Sequence, residues 1–233
     1  MLNIETLKQN SLFSALDDET LTELIDNFEE DFLVKGETLS ITYPVSDRVY
    51  LIINGKVKIT SSDEQSNKKI ILFVMGPGDL LGEFSIVSPY PIAVDATAIT
   101  NVDIVSINKL DLHKLLLEKP KFNEAYINHL IETVAYSHKK LMYEVFSDVT
   151  HRLAVILTDL TSRFGVRNLD QIVVEHGLTQ EEISQLVGSS RETVNKVMTG
   201  FAQKNIITVG SKKIRVLDKS ALKNMLLKKI VAS

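Results

Sequence analysis

The sequence predicts an α+β protein in which an N-terminal antiparallel β-barrel or roll is followed by a long helix and then by a helix-turn-helix with a β-hairpin. Three observations predict this order. Short β-branched runs spaced by about ten residues fill 32–107, a regular apolar repeat free of Gly and Pro fills 121–149, and helix-turn-helix spacing fills 178–198. The 233 residues, 44% apolar and 24% charged, suffice for two globular domains.

The N-terminal part combines short helices with strands. The first thirty residues predict two small amphipathic helices that pack on a larger domain, the second of them beginning behind Asp17. Asn54-Gly55 separates the runs Tyr50–Ile53 and Lys56–Thr60, and this dipeptide predicts that the two runs pair as a hairpin. The other predicted features of the roll are a polar tip at Ser61–Asn67, a strand at Lys68–Met75, a turn at Gly76–Asp79, and strands at Ile92–Ala98 and Val102–Ile107.

The long helix follows a short one at Asp111–Glu118, and Pro120 ends the first or starts the second. One face carries a stripe at alternating steps of four and three residues: Ile127, Ile131, Val134, His138, Leu141 and Val145. So narrow a stripe favours a coiled coil with a second copy of the chain over packing on the chain's own roll. A lone histidine on such a stripe more often sets register than binds a ligand, and both roles stay open for His138. A further helix at Thr150–Phe164 follows a hinge near Val145–Thr150.

Charge is distributed unevenly along the chain. Residues 1–149 carry 13 basic and 23 acidic side chains, whereas residues 150–233 carry 13 basic and 7 acidic ones. From Lys196 to Lys229, nine bases accompany a single acid, Asp218. This excess predicts that the C-terminal part binds a polyanion such as double-stranded DNA, although a lysine-rich surface also serves solubility alone.

Several classes of protein are excluded by what the sequence lacks. The absence of Cys excludes disulfides, thiolate metal sites and cysteine-ligated iron–sulfur clusters, and the histidines have no metal-ligand spacing. There is no Gly-rich phosphate loop, nucleophile elbow or His-Glu-x-x-His motif, so we expect no catalytic residues and no enzyme. Neither a membrane span nor a signal peptide is recognisable, and we therefore expect a cytoplasmic protein without a membrane partner.

The segment 178–198 carries the most specific pattern in the chain. Thr179, with a glutamate three residues on, forms a capping box at the start of a first helix. Gly188 permits the left-handed turn, and Ser190 or its neighbour Ser189 caps a second helix. The segment therefore predicts a helix-turn-helix.

The second helix of this motif has a buried and an exposed face. Its apolar residues Val194, Val197 and Met198 predict the buried face. The exposed face then presents Arg191, Glu192, Asn195 and Lys196. Arg bonds guanine through two hydrogen bonds and Glu accepts from cytosine, whereas lysines suit phosphates. The hairpin that follows adds further phosphate-binding candidates: Lys212, Lys213 and Arg215.

The run Thr-x-x-Glu-Ile-x-Gln-x-Val-Gly-x-Ser-Arg-Glu-Thr-Val at 179–194 resembles the DNA-binding signature of the CRP/FNR family of bacterial transcription regulators. The likeness covers essentially the whole chain, including Gly55, Gly82-Glu83, the long helix and Phe146–Arg152. It implies three parts: an effector-sensing, cyclic-nucleotide-binding-like β-roll at 1–118, a dimerisation helix and hinge at 119–148, and a winged helix-turn-helix DNA-binding domain at 149–233.

The resemblance also implies partners and residue roles. It implies a homodimer that recognises a palindromic TGTGA-like site, with base and phosphate contacts from Arg191, Glu192 and Lys196, although Glu192 would alternatively only orient Arg191. The same DNA-binding surface would include Thr179, Gln180, Ser189, Ser190, Asn195, Lys212 and Lys213. Gln180 stands where members often carry Arg, which weakens one backbone contact. RNA polymerase is a further implied partner, reached through surface loops such as Arg167–Gly177.

The effector pocket departs from the family pattern. The pocket that the resemblance implies comprises Gly82, Glu83, Phe84 and Ser85, Tyr90-Pro91 in place of the usual Arg-(Ser/Thr) pair, and Ser137 and His138 of the dimer helix. No Lys or Arg occurs at 70–108. Because burying an unpaired phosphate beside carboxylates is costly, we do not expect cyclic AMP to bind in the usual mode.

No cofactor is assigned, and the effector stays open. An unidentified neutral small molecule could fill the roll, or Tyr90 and Pro91 could fill it and leave the regulator active without a ligand. An anionic effector would need cations from elsewhere, namely Arg48, Lys56, Lys58 or Lys139. The alternative function is a small-molecule-binding module of the same fold, including residual cyclic-nucleotide control.

Overall fold

The computed structural model describes residues 2–42, 46–63, 68–88, 90, 93–169 and 171–227. The chain divides into two compact units, Met1–Tyr136 and Ser137–Ser233, and the border lies inside the long helix. No helix in the described ranges has the length and apolarity needed to cross a membrane. Several predicted features lie outside the described residues: 64–67 of the polar tip, Pro91, Ile92, Lys228 and Lys229.

The first unit contains small helices, two sheets and most of the long helix. Its helices are α1 (Ile4–Lys8), α2 (Asp18–Ile25), α3 (Lys109–Glu118) and α4 (Pro120–Phe146), the last of which continues into the second unit. Its strands are β1 (Glu29–Leu33), β2 (Thr38–Thr42), β3 (Arg48–Asn54), β4 (Val57–Asp63), β5 (Lys68–Met75), β6 (Leu80–Leu81), β7 (Ala93–Ala98) and β8 (Val102–Asn108). Short 3-10 turns occur at Phe13–Ala15 and Glu83–Ile86.

These strands form two antiparallel four-stranded sheets within the described residues, ordered β1-β8-β3-β6 and β2-β7-β4-β5. Along β3, Val49 and Leu51 pack with the helices in one apolar cluster, which also contains Phe13. Ile52 of β3 and Ile104 of β8 belong to a second cluster, with side chains of the other sheet. The first sheet is therefore covered on both faces, which explains its continuous apolar runs. The predicted packing of the N-terminal helices on a larger domain is confirmed.

The hairpin predicted at Asn54-Gly55 is wrong, because β3 and β4 lie in different sheets. Gly55 has φ +90°, and a Cβ at this residue would lie 2.2 Å from the Asn101 carbonyl oxygen. The Lys56 backbone nitrogen donates to Thr100 Oγ1 at 2.9 Å. Asn-Gly thus forms a corner, where the chain passes close to the loop before β8 and enters the second sheet. The same dipeptide is compatible with a hairpin and with a corner between two sheets, so the sequence alone does not distinguish them.

Among the remaining strand predictions in the roll, β5 has the predicted bounds, β8 extends one residue beyond its predicted end, and β7 follows the prediction over its described residues 93–98. β4 continues to Asp63, so 61–63 of the predicted polar tip belong to a strand. The turn Gly76–Asp79 is also present. The Gly76 backbone nitrogen donates to Asp79 Oδ2 at 2.7 Å, and the Asp79 nitrogen donates to the Gly76 carbonyl oxygen at 3.0 Å. The aspartate side chain therefore closes this turn.

The second unit continues from the last turns of α4. Its elements are α5 (Val149–Phe164), β9 (Gly165–Asn168), β10 (Gln171–Val174), α6 (Gln180–Val187), α7 (Arg191–Gln203), β11 (Ile207–Gly210), β12 (Lys213–Val216) and α8 (Lys219–Leu227). The strands form an antiparallel sheet ordered β11-β12-β10-β9. The hinge between α4 and α5 falls where it was predicted, with Asp148 capping α5 through the His151 backbone nitrogen at 2.8 Å. The predicted α+β fold class is confirmed.

Candidate nucleic-acid interface

The helix α6 begins with the predicted capping box. The Glu182 backbone nitrogen donates to Thr179 Oγ1 at 3.2 Å, and the Thr179 nitrogen donates to Glu182 Oε2 at 2.7 Å. Two backbone donors that a helix start leaves unpaired are thereby satisfied. The box fixes where α6 begins, and hence the position of the turn that follows it.

The turn between α6 and α7 depends on one glycine and one serine. Gly188 has φ +69° and ends α6 in the left-handed conformation. Ser190, and not Ser189, caps α7, because its hydroxyl accepts from the Thr193 backbone nitrogen at 3.2 Å. The alternative that the sequence left open is decided in favour of Ser190. Arg191 is consequently the first residue of α7.

The helix α7 buries one face and exposes the other, as predicted. Val194 and Met198 are 0% and 3% exposed, whereas Arg191, Glu192 and Lys196 lie on the surface. Asn195 and Val197 are half-buried. None of the described residues forms a hydrogen bond or ion pair with the side chains of Arg191, Glu192 or Lys196. Glu192 makes no hydrogen bond or ion pair with Arg191 in this structure, and both roles given for it, base contact and orientation of Arg191, stay predictions.

The hairpin β11–β12 presents basic side chains. Gly210 pairs with Lys213 across a two-residue turn, in which Lys212 has φ +54°. The Lys212 carbonyl oxygen accepts from the Gly177 backbone nitrogen at 3.0 Å, which ties the hairpin turn to the segment before α6. Lys212 and Arg215 are exposed and Lys213 is half-buried. The hairpin therefore holds cations on a backbone fixed to the helix-turn-helix.

Gln180, the first residue of α6, is half-buried, and its Oε1 has no hydrogen-bond partner among the described residues. Its amide nitrogen is the group of this side chain that can donate to an outside acceptor such as a phosphate oxygen. An amide carries no charge, so a phosphate contact here is weaker than one from Arg. An uncharged side chain at this position agrees with the weaker contact to the DNA backbone that we expect from the sequence.

Arg152 of α5 is a residue to which the sequence analysis gave no role. Its guanidinium donates to three backbone carbonyl oxygens: Nε to Val187 at 2.9 Å, Nη1 to Ser147 at 2.9 Å and Nη2 to Gly188 at 3.1 Å. Ser147 directly follows α4, and the other two acceptors end α6. The only sign of this role in the sequence is an arginine close to the hinge. Its acceptors are backbone carbonyl groups, which no sequence pattern marks.

The predicted effector segment Gly82–Ser85 is tightly packed in the first unit. Gly82 has φ +93°, and Ser85 is buried with its hydroxyl donating to the Gly82 carbonyl oxygen at 2.7 Å. Phe84 is half-buried against the apolar cluster between the two sheets. Glu83 is only 6% exposed. The segment is thus a rigid 3-10 turn with a buried carboxylate.

The Glu83 carboxylate lies against α4. His129 Nε2 is 3.5 Å from Glu83 Oε1, and Tyr126 Oη donates to the Glu83 carbonyl oxygen at 3.0 Å. The hydrogen bond with Glu83 raises the pKa of His129, burial opposes this, and the charges of Glu83, Glu132 and Asp79 add to the rise. Burial also raises the pKa of the Tyr126 hydroxyl. The resemblance implies that the Glu83 carboxylate binds an effector, but in this structure it contacts His129 of its own chain.

Two other predictions for the pocket need correction. Tyr90 is 73% exposed, so it does not fill the roll; a tyrosine on a surface loop keeps its hydroxyl in water without needing a buried partner. Arg48 donates to Ser106 Oγ at 2.9 Å, to the Ser106 carbonyl oxygen at 3.1 Å and to Glu29 Oε1 at 3.0 Å. An anionic effector would therefore compete with Glu29 for this guanidinium.

Of the remaining pocket candidates, Lys56 and Lys58 belong to the first unit, whereas Ser137, His138 and Lys139 belong to the second. Ser137 and His138 are exposed on α4. Lys139 lies with its Nζ 5.8 Å from the centroid of the Tyr143 ring. Within the described residues no cluster of His, Asp and Glu could hold a metal ion.

Comparison with known proteins gives matches for both parts of the chain. A family described as "Cyclic nucleotide-binding domain" matches residues 32–119, and one described as "Crp-like helix-turn-helix domain" matches residues 151–225. The chain is 34% identical over 220 residues to the "CRP-like cAMP-activated global transcriptional regulator" of Mycobacterium tuberculosis, covering 94% of this chain and 97% of the relative. It is 24% identical over 214 residues to the "Global nitrogen regulator" of Synechococcus elongatus, covering 91% and 94%.

Solved structures share the fold. FixK2 from Bradyrhizobium japonicum superposes with a TM-score of 0.74 at 16% identity, covering 85% of this chain and 96% of that one. A CRP/FNR-family transcriptional regulator from Thermus thermophilus gives 0.69 at 23% identity, covering 86% and 100%. The curated relatives are transcription regulators and not enzymes, in agreement with the sequence prediction. With both domains matched in this order and 34% identity across almost its whole length, the chain belongs to the CRP/FNR family of DNA-binding transcription regulators.

Proposed function

We propose that this regulator binds as a homodimer to a palindromic site with TGTGA-like half-sites. The observation that carries the proposal is the start of α7, where Arg191, Glu192 and Lys196 are exposed and unpaired among the described residues. The opposite face of this helix buries Val194 and Met198. A helix of this kind enters the major groove with its first residues against base edges. Arg191 suits guanine and Glu192 suits cytosine, whereas Lys196 suits phosphate.

Phosphate contacts supply the rest of the DNA-binding surface. Lys212 and Lys213 belong to the hairpin that is tied to the segment before α6, and Thr179, Gln180, Ser189, Ser190 and Asn195 lie around the two helix starts. Backbone nitrogens and hydroxyls at helix starts are common phosphate ligands. These contacts set the position of α7 on the duplex without selecting the sequence.

The homodimer is supported by α4. The five apolar stripe residues remain between 51% and 64% exposed in the single chain: Ile127, Ile131, Val134, Leu141 and Val145. Exposed apolar surface of this extent usually marks an interaction site. The same stripe on a second copy of the chain would bury it in a symmetric interface. Two-fold symmetry would place the two α7 helices about 34 Å apart on successive major grooves.

For the effector, we propose an unidentified small molecule in the roll, or none, because Glu83 already contacts His129, Arg48 is engaged by Glu29 and Ser106, and no Lys or Arg occurs at 70–108. Cyclic-nucleotide control is the second candidate, favoured by the relative that is named as cAMP-activated. Thermal unfolding with and without cyclic AMP separates the two: we expect no shift at saturating physiological concentrations, and a clear rise in melting temperature would favour the second candidate.

RNA polymerase is the second macromolecular partner that we propose. The hairpin β9–β10 exposes Val166 at 69% and Leu169 at 88%, and Leu169 has φ +53°. Apolar side chains held out on a surface hairpin are suited to contact another protein at a promoter. Regulation of chromosomal promoters would also make this a cytoplasmic protein.

The proposed function is tested by titrating a duplex that carries two TGTGA-like half-sites, and single-base variants of it, at several salt concentrations. We expect steeply salt-dependent binding in which Arg191→Ala loses about 1–3 kcal/mol of discrimination at one base pair. Lys196→Ala should weaken all duplexes alike and reduce the salt slope by about one. Lys204→Ala removes an exposed base at the far end of α7 and is the control. An unchanged ranking of the duplexes with Arg191→Ala would contradict the proposal.

A further inference from the structure

We propose that Arg152 is a positioning residue that fixes the direction of α7 relative to the end of α4, and thereby sets the half-site spacing that the dimer accepts. The inference rests on the proposed function, because spacing has meaning only for a dimer on a two-part site. Among the described residues, the hydrogen bonds of the Arg152 side chain all go to backbone carbonyl oxygens outside α7. Its effect on DNA binding is therefore exerted through the chain's own geometry.

The three acceptors of Arg152 come from two different places in the chain. Ser147 directly follows the last residue of α4, and its carbonyl oxygen accepts from Nη1 at 2.9 Å. Val187 and Gly188 end α6, and their carbonyl oxygens accept from Nε and Nη2 at 2.9 and 3.1 Å. One planar guanidinium thus links the residue that follows α4 to the turn between α6 and α7.

The chemistry at this point suits arginine and no other side chain. Carbonyl groups at a helix end lack helical partners and carry partial negative charge, so they attract a cation with several donors. The guanidinium holds its five N–H groups in one plane, and three of its nitrogens are used here. A lysine has a single nitrogen at the end of a flexible chain, so it cannot hold all three acceptors in a fixed relation.

The turn that Arg152 holds leads directly into α7. Gly188 has φ +69°, and α7 begins three residues later at Arg191 behind the Ser190 cap. A Cβ built on Gly188 would lie 3.9 Å from Glu144 Oε1, so the last turn of α4 is close to the same point. A rotation at the end of α4 therefore acts on the residues that orient α7.

Other contacts around the hinge hold different elements. The rings of Tyr143 and His151 lie 5.2 Å apart, and His151 Nδ1 donates to the Met225 carbonyl oxygen at 3.1 Å. These contacts join α4 and α8 to α5 but do not include α6. Buried Leu153 and Leu157 of α5 keep the unit folded independently of Arg152. Removal of the guanidinium should accordingly loosen the direction of α7 while the fold and the stripe on α4 persist.

The experiment compares wild type with Arg152→Gln and Arg152→Lys on duplexes whose half-sites are moved apart or together by one or two base pairs. Each base pair rotates one half-site by about 34–36° relative to the other. A single half-site duplex is measured in parallel, and Arg163→Gln, which removes an exposed charge from the same helix, is the control. Melting temperature and sedimentation report on folding and on dimer formation.

We expect Arg152→Gln to lose about tenfold in affinity at the best spacing and to discriminate about tenfold less against displaced spacings, because charged hydrogen bonds to three carbonyls are removed. Arg152→Lys should be intermediate, and single half-site binding should change by less than about twofold. Arg163→Gln should match wild type.

The inference is overturned if the spacing preference of Arg152→Gln equals that of wild type while only its melting temperature falls, since the role is then structural. If Arg152→Gln does not fold, Arg152→Lys decides in the same way. Absence of any binding by wild-type protein at low salt would instead contradict the proposed function, so the two failures are distinguishable.

Discussion

If the protein forms the proposed homodimer through α4, replacing Val134 by Asp should convert it to a monomer. Val134 lies in the middle of the apolar stripe on α4 and is 64% exposed in the single chain. The steps of four and three residues place it on the same face as Ile131 and Leu141. By two-fold symmetry, the substitution changes both sides of the interface at neighbouring points.

The magnitude follows from the exposed fraction. Full burial of a valine side chain contributes about 1.5–3 kcal/mol, so covering the remaining two-thirds of Val134 contributes about 1–2 kcal/mol in each chain and about 2–4 kcal/mol in the dimer. The two carboxylates that Val134→Asp introduces into the variant dimer would also be buried between the apolar stripes. Their desolvation and mutual repulsion add a cost about as large as the lost valine burial, or larger. A total of about 4 kcal/mol or more raises the dimer Kd at least about a thousandfold.

Sedimentation velocity over a concentration series from about 10 nM to about 10 µM measures this shift. Asn128→Asp adds the same carboxylate at an exposed position of α4 outside the stripe and should leave the dimer intact. A wild-type monomer at micromolar concentration, or a Val134→Asp variant that sediments as wild type does, would show that the stripe does not form a dimer interface. Equal dissociation by Asn128→Asp would show that charge on α4, and not the stripe, controls association.

Two further predictions concern the first unit. Because the pKa of His129 in the folded protein is raised above its ordinary value of 6.5, the stabilisation from its contact with Glu83 is complete below that pH and is lost as pH rises through the raised pKa. The melting-temperature advantage of wild type over His129→Gln should therefore shrink as the pH rises above 6.5 and through the raised pKa, and an advantage that stays constant with pH would refute the coupling. Gly55→Ala should lower the free energy of unfolding by about 2–4 kcal/mol, because its Cβ would overlap the Asn101 carbonyl oxygen at 2.2 Å. Gly36→Ala is the matched control, because Gly36 has the same φ of +90° but a Cβ built on it would meet no atom within 4 Å. We expect it to lower the free energy of unfolding by about 1–2 kcal/mol in denaturant titrations. Equal losses for the two variants would show that the close approach at Gly55 is unimportant.

Features determined by neighbouring residues were predictable from the sequence. The caps at Asp17, Asp148 and Thr179 bond backbone nitrogens three residues on, so spacing alone locates the starts of α2, α5 and α6. The two faces of α7 follow from helical periodicity for the same reason, with Val194 buried and Arg191 exposed. The candidate DNA-binding surface was therefore visible almost entirely in a run of about twenty residues.

Features that depend on distant parts of the chain were not predictable in this way. Asn54-Gly55 is compatible with a hairpin and with a corner between sheets, and only the approach of Asn101 decides between them. Arg152 bonds carbonyl groups, which every residue has, so no pattern of side chains marks its partners. Glu83 is 46 positions from His129, and the resemblance to cyclic-nucleotide-binding members gave its carboxylate to a ligand rather than to α4.

The packing of α4 explains why a partner chain matters to function and not only to stability. A helix of 27 residues is about 40 Å long, yet the buried residues described in it are Phe122 and Tyr126, both within its first two turns. Beyond these turns its apolar stripe stays exposed in the single chain. In the proposed dimer a second α4 laid along the stripe would cover it and set the direction of both helices, and Arg152 would then pass that direction on to the turn before α7. In the proposed dimer, pairing of the two α4 helices would therefore give the DNA-binding surface a defined orientation, and disrupting the stripe should abolish spacing preference on DNA even where a single half-site is still bound.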